Sequence, residues 1–328
     1  MIVIENKSNN PAYNHAVEEY FLDKGEDVFI LWQNEPTVLV GRNQNVYKEV
    51  DVDYCNKNGI HIVRRLSGGG TIYTDLENMQ YSFITKEVEG NSFSHFAQPI
   101  LKALKKIGID AEFTGRNDMV VDGKKFSGNA QYHQGNRVLH HGTILFSIDT
   151  YHLQKALTPN KKKFEGKNID SVQSRVGLLS EYTDFTITEF MDYLENALCE
   201  SYGITERVDP SFAEEEILKI QKERFESKEW NFGQNPKFKI NTSVRHPFGL
   251  VDYGINVKKG KIDGIRFTGD FFGRKPIEDL EEHLKETLFE ESEMRKKLSE
   301  IQIDDYIQGA TVDDLVNDLC YGGKSNGS

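Results

Sequence analysis

The sequence lacks the features of several protein classes. Its 328 residues contain no apolar run near the length of about 18 residues that a membrane-spanning helix needs. The start, MIVIENKSNNPAYN, lacks the basic and apolar regions of a secretory signal. The three cysteines, Cys55, Cys199 and Cys320, are far apart, odd in number and without a CxxC pair. This spacing argues against a disulfide framework or a zinc site. We therefore expect a cytoplasmic protein with no membrane partner.

Positive charge is also scarce. Forty Lys and Arg residues stand against 52 Asp and Glu, which gives a formal net charge of −12. Because phosphate backbones are bound by concentrated basic surfaces, no nucleic-acid partner is expected. A local basic groove for a phosphorylated small molecule remains compatible with this charge. The hydrophobic share of 38% and charged share of 28% are typical of a soluble globular protein.

Hydrophobic periodicity predicts an α/β chain. We predict strands at 28–32, 37–41, 61–66, 79–84 and 141–148, and helices at 11–24, 96–108, 187–203 and 212–227. The composition changes near 231–243, and two strand-like runs (250–257 and 261–269) and two helical patterns (276–289 and 311–320) follow. These patterns predict two domains, residues 1–240 and 241–328.

The segment RRLSGGGTIYTD, residues 64–75, is the densest sign of a binding site. Three consecutive glycines after a predicted strand leave backbone N–H groups open to phosphate oxygens. Arg64 and Arg65 precede them and could add charge-assisted hydrogen bonds to the same anion. The spacing fits neither a Walker A loop nor a GxGxxG fingerprint. A flexible turn is the simpler interpretation of a glycine run, and the two arginines favour anion binding.

The second candidate is RNDMVVDGKKFSGNAQ, residues 116–131. The pair Asp122-Gly123 favours a two-residue type I′ turn, so residues 119–126 are predicted to form a hairpin. Because strand side chains alternate, either Lys124 or Lys125 should face inward and the other should face water. An inward ammonium can bind a carboxylate and an α-phosphate and offset the charge that grows as they react. An ordinary lysine-rich hairpin is the alternative.

Three further groups have two interpretations each. The histidine pair of NRVLHHGTILF, residues 136–146, could donate to a substrate or satisfy core carbonyls, and it lacks HExxH metal spacing. Asp118 could hold Mg²⁺ between phosphates or cap the hairpin. The run KKKFEGK, residues 161–167, could be solvated charge or a mobile loop near a phosphorylated ligand.

In this order along the chain, the motifs resemble the lipoate–protein ligase family. NPAYNHAVEEYFL is similar to its opening helix, LWQNEPTVLVGRNQN to its next strand pair and RRLSGGGTIYTD to its glycine-rich signature. GRNDMVVDGKKFSGNAQ, HHGTILF, SVQSRVGLLSEY, WNFGQNPKF and GDFFG follow in family order. The resemblance implies a mixed β-sheet catalytic domain of the biotin/lipoate ligase and class II aminoacyl-tRNA synthetase type. It also implies a small α+β C-terminal domain.

The resemblance also implies an activity. Lipoate, or octanoate, would react with the ATP–Mg²⁺ complex to give lipoyl-AMP and pyrophosphate. The lipoyl group would then pass to a specific lysine of an E2 lipoyl domain or of the glycine-cleavage H protein. No permanently bound cofactor is expected, and the protein should be a monomer.

The resemblance assigns roles to individual residues. Lys125 matches the essential lysine that contacts the acyl carbonyl and the α-phosphate. Asp118 matches a residue near phosphate and metal. The positions expected to bind substrate or adenylate are Arg65, Ser67, Gly68, Gly69, Gly70, Ile72, Tyr73, Asn117, Asp118, Ser127, Gly128, Ala130, His141 and Gly142.

The sequence departs from the family pattern at four positions. Thr74 stands where the signature usually has histidine, and Gln173 and Leu178 replace an arginine and an asparagine. Tyr132 stands where some members carry arginine. None of these is Lys125, so we expect activity to be retained. The departures bear on pocket polarity and acceptor choice, and a paralogue specialised for one acceptor would fit.

Two alternatives remain open. An octanoyl- or lipoyl-transferase of the same superfamily moves its acyl group without ATP, in some cases through a cysteine thiolate. No cysteine falls within the site motifs, Cys55 lies in a predicted surface helix, and the segment after residue 240 favours a ligase. The second alternative is a non-catalytic relative that binds lipoylated proteins, and only Thr74 and Leu178 support it.

Overall fold

The computed structural model describes residues 1–90, 92–157, 176–233 and 238–322. The chain divides into two compact units. The larger consists of residues 1–40, 46–65 and 72–231, and the smaller consists of 41–45, 66–71 and the chain from Phe232 on. The predicted domain boundary near residue 240 stays a prediction. Gln173 and the run 161–167 lie outside the described residues.

An eight-stranded mixed sheet is the centre of the larger unit. Its strands are Ile2–Ile4 (β1), Val28–Trp32 (β2), Asn78–Lys86 (β6), Ala111–Thr114 (β7), Asp118–Val121 (β8), Lys124–Gln134 (β9), Arg137–Leu145 (β10) and Arg207–Val208 (β11). They lie in the order β11-β1-β2-β6-β10-β9-β8-β7. A three-stranded sheet, in the order β4-β3-β5, consists of Thr37–Val40 (β3), His61–Arg64 (β4) and Ile72–Thr74 (β5).

Local signals set the ends of the helices around these sheets. The helices are Pro11–Lys24 (α1), Val46–Glu49 (α2), Val52–Lys57 (α3), Ser92–Lys106 (α4), Thr150–Ala156 (α5), Ile187–Tyr202 (α6), Glu214–Ile220 (α7) and Lys228–Phe232 (α8). The Asn10 side chain accepts the N–H groups of Ala12 and Tyr13, and Gly25 at φ 72° ends α1. A capping box of Thr186 and Glu189 begins α6.

Helices α4 and α6 cover one face of the large sheet. Phe96, Ile100 and Leu104 of α4, with Phe190 and Leu194 of α6, are almost fully buried in the core cluster. Such burial of apolar area contributes about 25 cal/mol per Å² to folding. One predicted helix, 212–227, is wrong in part. The chain there forms a 3₁₀ turn at Pro210–Ala213, then α7, then a π-helical turn at Gln221–Phe225.

The smaller unit has its own sheet and core. Its antiparallel strands are Ile240–His246 (β12), Gly249–Lys258 (β13) and Lys261–Gly269 (β14), and its helices are Ile277–Leu284 (α9), Glu291–Leu298 (α10) and Val312–Tyr321 (α11). The two predicted strands and two predicted helices are confirmed, although the helix predicted to reach residue 289 ends at Leu284. The sequence reading missed β12 and α10.

Burial explains the two missed elements. Each residue of β12 is exposed or half-buried, so this edge strand lacks an apolar run. In α10 only Met294 and Leu298 are buried among charged side chains. Along the described parts of the chain, every helix is too short or too polar to cross a bilayer.

Candidate active site

The hairpin of β8 and β9 carries the predicted catalytic lysine. Asp122 and Gly123 have φ values of 50° and 72°, as the predicted type I′ turn requires. The Nζ atom of Lys125 lies 2.7 Å from Oδ1 of Asp118, and the two side chains are 45% and 35% exposed. The expectation that one lysine of the pair faces inward is wrong, because neither Lys124 nor Lys125 is buried. The ammonium is therefore paired with a carboxylate and reachable from solvent.

A β-bulge decides which side chains lie beside Lys125. The register shifts between Met119 and Val120, so that Phe126 is an extra residue in the facing strand. In a regular strand, residues three positions apart would lie on opposite faces. The bulge instead brings Lys125 and Gly128 together, and a Cβ added at Gly128 would lie 3.0 Å from the lysine Nζ. Gly128 therefore leaves the room that the lysine side chain occupies.

Asn129, which sequence reasoning did not single out, connects several predicted site residues. Its Oδ1 accepts a hydrogen bond from the Tyr81 hydroxyl and lies 3.2 Å from Nε2 of His140. The Nδ2 of Asn117 donates to the Asn129 carbonyl at 2.7 Å, and the Asn129 N–H donates to the Asn117 carbonyl at 2.9 Å. The Ser127 Oγ lies 3.4 Å from the Asn129 Nδ2. Asn117 and Ser127 thus meet through Asn129.

Gly142 gives this network its space. A Cβ at Gly142 would lie 2.5 Å from the Asn129 Oδ1 and 2.6 Å from the Tyr81 hydroxyl oxygen. Neighbouring His141 pairs in register with Ala130 across β9 and β10. The predicted residues Ala130, His141 and Gly142 are therefore adjacent, but the glycine accommodates a buried polar network.

A buried carboxylate lies between two imidazoles next to the sheet. The Oε1 of Glu18 is 2.9 Å from Nδ1 of His141, and its Oε2 is 2.6 Å from Nδ1 of His15. The Ser82 hydroxyl donates to Glu18 at 2.5 Å and accepts from the Trp32 Nε1 at 3.0 Å. All five side chains are buried. Of these residues, sequence reasoning named only His141.

Charges are fixed in this cluster. Burial opposes the ionisation of Glu18, but His141 and His15 outweigh it, so the pKa of Glu18 is lowered. Burial lowers the pKa of His15, which is therefore neutral near pH 7. Burial and the adjacent Arg64 lower the pKa of the Arg65 guanidinium to about 10, and Glu18 opposes them. At neutral pH the cluster thus holds a carboxylate, and Arg65 remains a buried cation.

The cluster contains metal-ligating residue types. Ligand atoms of His15, Glu18 and His141 lie within 4.8 Å of one another, and such residues bind zinc in other proteins. Both Glu18 oxygens, however, already accept hydrogen bonds, and Arg65 interacts electrostatically with Glu18 and His15. A second cation is disfavoured there, and we interpret the cluster as a hydrogen-bonded network.

The guanidinium of Arg64 binds the backbone of α8. Its Nε donates to the Trp230 carbonyl at 2.9 Å and its Nη2 to the Asn231 carbonyl at 3.0 Å. These two guanidinium donors bind backbone carbonyls, and the expectation that Arg64 joins Arg65 in holding an anion stays a prediction. The Nη1 of Arg65 donates to the Leu39 carbonyl at 3.2 Å.

Two of the residues predicted to bind substrate or adenylate lie on β5. Ile72 pairs with Leu39 of β3, and the next residue, Tyr73, is buried. Burial and the nearby Asp75 raise the pKa of Tyr73 above its usual range. Thr74, which stands where the family usually has histidine, is buried and accepts a hydrogen bond from the Gln80 side chain. The threonine therefore has a structural partner.

The glycine-rich loop belongs to the smaller unit. A Cβ at Gly68 would lie 2.6 Å from the Phe271 carbonyl oxygen. The Gly69 N–H donates to the same oxygen at 3.3 Å, and Gly69 has a φ of 89°. Ser67 is buried, whereas Gly70 is exposed, and a Cβ added there would meet no atom of the described residues within 4 Å. Two of the glycines thus serve packing, and the ligand-binding role of residues 67–70 stays a prediction.

The three cysteines are free thiols. Cys55 was expected in a surface helix, but in α3 it is fully buried within the larger unit. Burial and Asp51 raise the pKa of the Cys55 thiol to about 11. A reactive thiolate is therefore disfavoured at this position.

Comparison with known proteins gives the family. Residues 10–199 match the family described as Lipoyl protein ligase A/B catalytic domain, and residues 235–319 match Bacterial lipoate protein ligase C-terminus. The chain belongs to the lipoate–protein ligase family. Similar members include lipoate-protein ligase LplJ of Bacillus subtilis, 39% identical over 98% of this chain and 100% of that protein. Lipoate–protein ligase 1 of Staphylococcus aureus is 36% identical over 93% and 95%.

Solved structures show the same fold. LipL1 of P. falciparum in complex with lipoate matches with a TM-score of 0.80 at 24% identity, over 98% of both chains. Lipoate-protein ligase A bound with ATP matches with a TM-score of 0.60 at 22% identity, over 71% of this chain and 98% of that one. The predicted lipoate-ligase fold, with its mixed sheet and C-terminal α+β unit, is confirmed.

Sequence reasoning did not name the residues that contact the predicted site residues or their neighbours, which are His15, Glu18, Asn129, Trp230 and Asn231. Positions 15 and 18 are three apart on a helix and therefore share a face, which was an available signal. Nearly every residue of α1 from 11 to 22 is buried, polar residues included. The sequence therefore has no apolar stripe that would indicate which polar side chains of this helix lie inside the protein.

Proposed function

We propose that this protein is an ATP-dependent lipoate–protein ligase. It activates lipoate to lipoyl-AMP and transfers the lipoyl group to a specific lysine of a lipoyl domain or H protein. The observation that carries the proposal is the Lys125–Asp118 pair beside Gly128, on the hairpin of a chain that matches both family segments. An accessible ammonium and a half-buried carboxylate at 2.7 Å suit a reaction between two anions.

The first half-reaction joins a carboxylate to a phosphate. A carboxylate oxygen of lipoate attacks the α-phosphorus of ATP, the bond to the bridging oxygen breaks, and pyrophosphate leaves. Lys125 would contact both anions and offset their repulsion, and the buried Arg65 would add a second positive charge. Gly128 keeps the space in which the lysine can shift from Asp118 toward substrate.

Asp118 has the chemistry to hold the Mg²⁺ that accompanies ATP. Mg²⁺ is commonly bound through one or two carboxylates together with substrate phosphates, and Asp118 is a carboxylate with 35% of its side chain accessible. The ion would supply charge neutralisation on the phosphates. Lys125 then no longer needs Asp118 as its counter-ion and can face the reacting carboxylate.

In the second half-reaction the acceptor lysine attacks the acyl carbon of the adenylate. The bond from the acyl carbon to the phosphate oxygen breaks, AMP leaves and an amide forms. The attacking amine must lose its proton. Exclusion of water would protect the reactive anhydride until the acceptor arrives.

An acyl-thioester route, which an ATP-independent transferase would use, is disfavoured. Cys55 is buried with a raised pKa, and burial also raises the pKa values of Cys199 and Cys320. We further propose that the protein is a monomer in a reducing cytoplasm and that octanoate is an alternative acid substrate. The residues that the family resemblance assigns to substrate or adenylate binding have those roles. The two domains consist of residues 1–240 and 241–328.

Lipoate-dependent exchange between ATP and pyrophosphate tests the proposal. We expect exchange with lipoate in the native protein and its loss in Lys125→Ala, with octanoate and biotin run in parallel. Lys124→Ala is the matched control, because it removes the neighbouring lysine of the same strand and should retain exchange. Transfer to a purified lipoyl domain is measured beside it. The absence of both exchange and transfer in the native protein would contradict the proposal.

A further inference from the structure

The outer edge of β4 is covered by side chains. Among the described residues, strand β4 pairs with β3 alone, so its other edge presents backbone groups to side chains rather than to a second strand. At Arg64 the N–H donates to the Asn231 Oδ1 at 2.8 Å, and the carbonyl accepts from the Trp230 Nε1 at 2.8 Å. With the two guanidinium bonds described above, four hydrogen bonds join Arg64 to Trp230 and Asn231.

A second set of contacts fixes the segment that carries Trp230 and Asn231. The Asn231 Nδ2 donates to the Phe225 carbonyl at 2.6 Å. The Phe225 ring stacks on His15 of α1 with centroids 5.5 Å apart. The Arg224 guanidinium lies 4.9 Å from the centre of the Trp230 ring, and its Nε lies 3.0 Å from a carboxylate oxygen of Glu19, also in α1.

These contacts lie on either side of Arg65 along its connections: they hold Arg64, which precedes it, and α1, which carries Glu18. The Arg65 N–H donates to the Val40 carbonyl at 3.0 Å, and its guanidinium is buried, with Glu18 of α1 acting on its charge. The backbone before Arg65 is therefore held by Trp230 and Asn231. The helix that contributes Glu18 is held by the same segment through Phe225 and Arg224.

We propose that Trp230 and Asn231 are positioning residues for ATP: they lock Arg64 and so hold the Arg65 guanidinium ready for the nucleotide. This inference rests on the proposed function, in which Arg65 contacts the adenylate. It gives the Trp-Asn pair of the WNFGQNPKF segment a role within the larger unit. A buried cation that is already in place pays no further ordering cost when the ligand binds.

The test compares ATP affinity with folding stability. Trp230→Phe retains an aromatic ring but removes the Nε1 donor, and Asn231→Ala removes the acceptor for the Arg64 N–H. Loss of one such hydrogen bond changes affinity by roughly 3- to 10-fold. We expect both variants to raise the Kd for ATP, and the KM for ATP in exchange, by about that factor with kcat nearly unchanged.

Tyr193→Phe is the matched control for a merely structural effect. The Tyr193 hydroxyl donates to the Ala103 carbonyl at 2.7 Å, between α6 and α4. This variant also loses one side-chain to backbone hydrogen bond, and it should lower Tm without moving the Kd for ATP.

The outcomes separate the two proposals. Native protein that fails to bind ATP in calorimetric titration overturns the proposed function and this inference together. If the native protein binds ATP and the folded Trp230→Phe and Asn231→Ala variants bind it with an unchanged Kd, the inference alone is overturned. If Asn231→Ala does not fold, Trp230→Phe decides the result, because it preserves the ring against Arg224.

Discussion

Replacing Gly128 by alanine should impair catalysis while leaving the fold almost intact. The added Cβ would lie 3.0 Å from the Lys125 Nζ and 3.1 Å from its Cε. Ordinary contacts between such atoms are about 3.5–4.0 Å, so the lysine end must move by roughly 0.5–1 Å. A displacement near 1 Å at a reacting centre can cost about 100-fold in rate. We therefore expect kcat for exchange to fall about 10- to 100-fold.

Stability should respond differently. The Lys125 side chain is 45% exposed, so its movement requires little repacking. The backbone of Gly128 does not have a positive φ, and alanine reduces the freedom of the unfolded chain, an effect of about 0.4–1 kcal/mol in favour of folding. The free energy of unfolding should thus change by less than about 1 kcal/mol, which is a shift of only a few degrees in Tm.

Two comparisons make the assay specific. Gly264→Ala is the control, since among the described residues a Cβ at this strand position of the smaller unit meets only a Phe238 ring carbon, at 3.9 Å. It should leave kcat unchanged and shift Tm by no more than a few degrees. In the double variant with Lys125→Ala, the Gly128→Ala change should cause no further loss, because its effect acts through the lysine. Unchanged kcat in Gly128→Ala, where Lys125→Ala is inactive, would refute the reasoning.

Three further predictions follow. Gly142→Ala should lower the free energy of unfolding by about 1–3 kcal/mol in urea titration, since its Cβ would lie 2.6 Å from the buried Tyr81 oxygen; an unchanged midpoint would contradict this. Burial raises the pKa of the Glu281 carboxyl from 4.5 to about 7. Its contribution to the free energy of unfolding is therefore largest below pH 4.5 and is lost as pH rises through 7. Glu281→Gln, which can still accept from the Phe267 N–H, should match the native Tm near pH 5 and exceed it near pH 8.5; parallel curves would count against the buried carboxyl. Cys55→Ala should retain exchange, whereas an acyl thioester on Cys55 in mass spectrometry would support the transferase alternative.

The sequence allowed prediction where a local signal decides the structure. Helix α1 begins at Pro11 because Asn10 caps it, and the hairpin turns at Asp122-Gly123 because both residues adopt positive φ. The same turn places Lys124 and Lys125 at the start of the returning strand, but only the family resemblance distinguished Lys125 from Lys124.

Features that depend on tertiary contacts were not predictable in this way. The bulge at Phe126 depends on pairing with β8, and it changes which residues share a face with Lys125. Glu18 becomes notable only when the fold brings His141 beside it. The same limit applies to Arg64, whose partners at 230 and 231 lie far along the chain.

The smaller unit is built from three separate segments of the chain, and this affects the order in which parts of the protein can fold during synthesis. Its segments 41–45 and 66–71 emerge early in synthesis, but the Gly269 N–H binds the Asn43 carbonyl and the Gly69 N–H binds the Phe271 carbonyl. Closing such long loops is slow compared with local folding. On the ribosome, the glycine-rich loop cannot form its native hydrogen bonds until the chain extends past residue 271. A nascent chain that has completed the large sheet therefore still lacks its finished glycine loop.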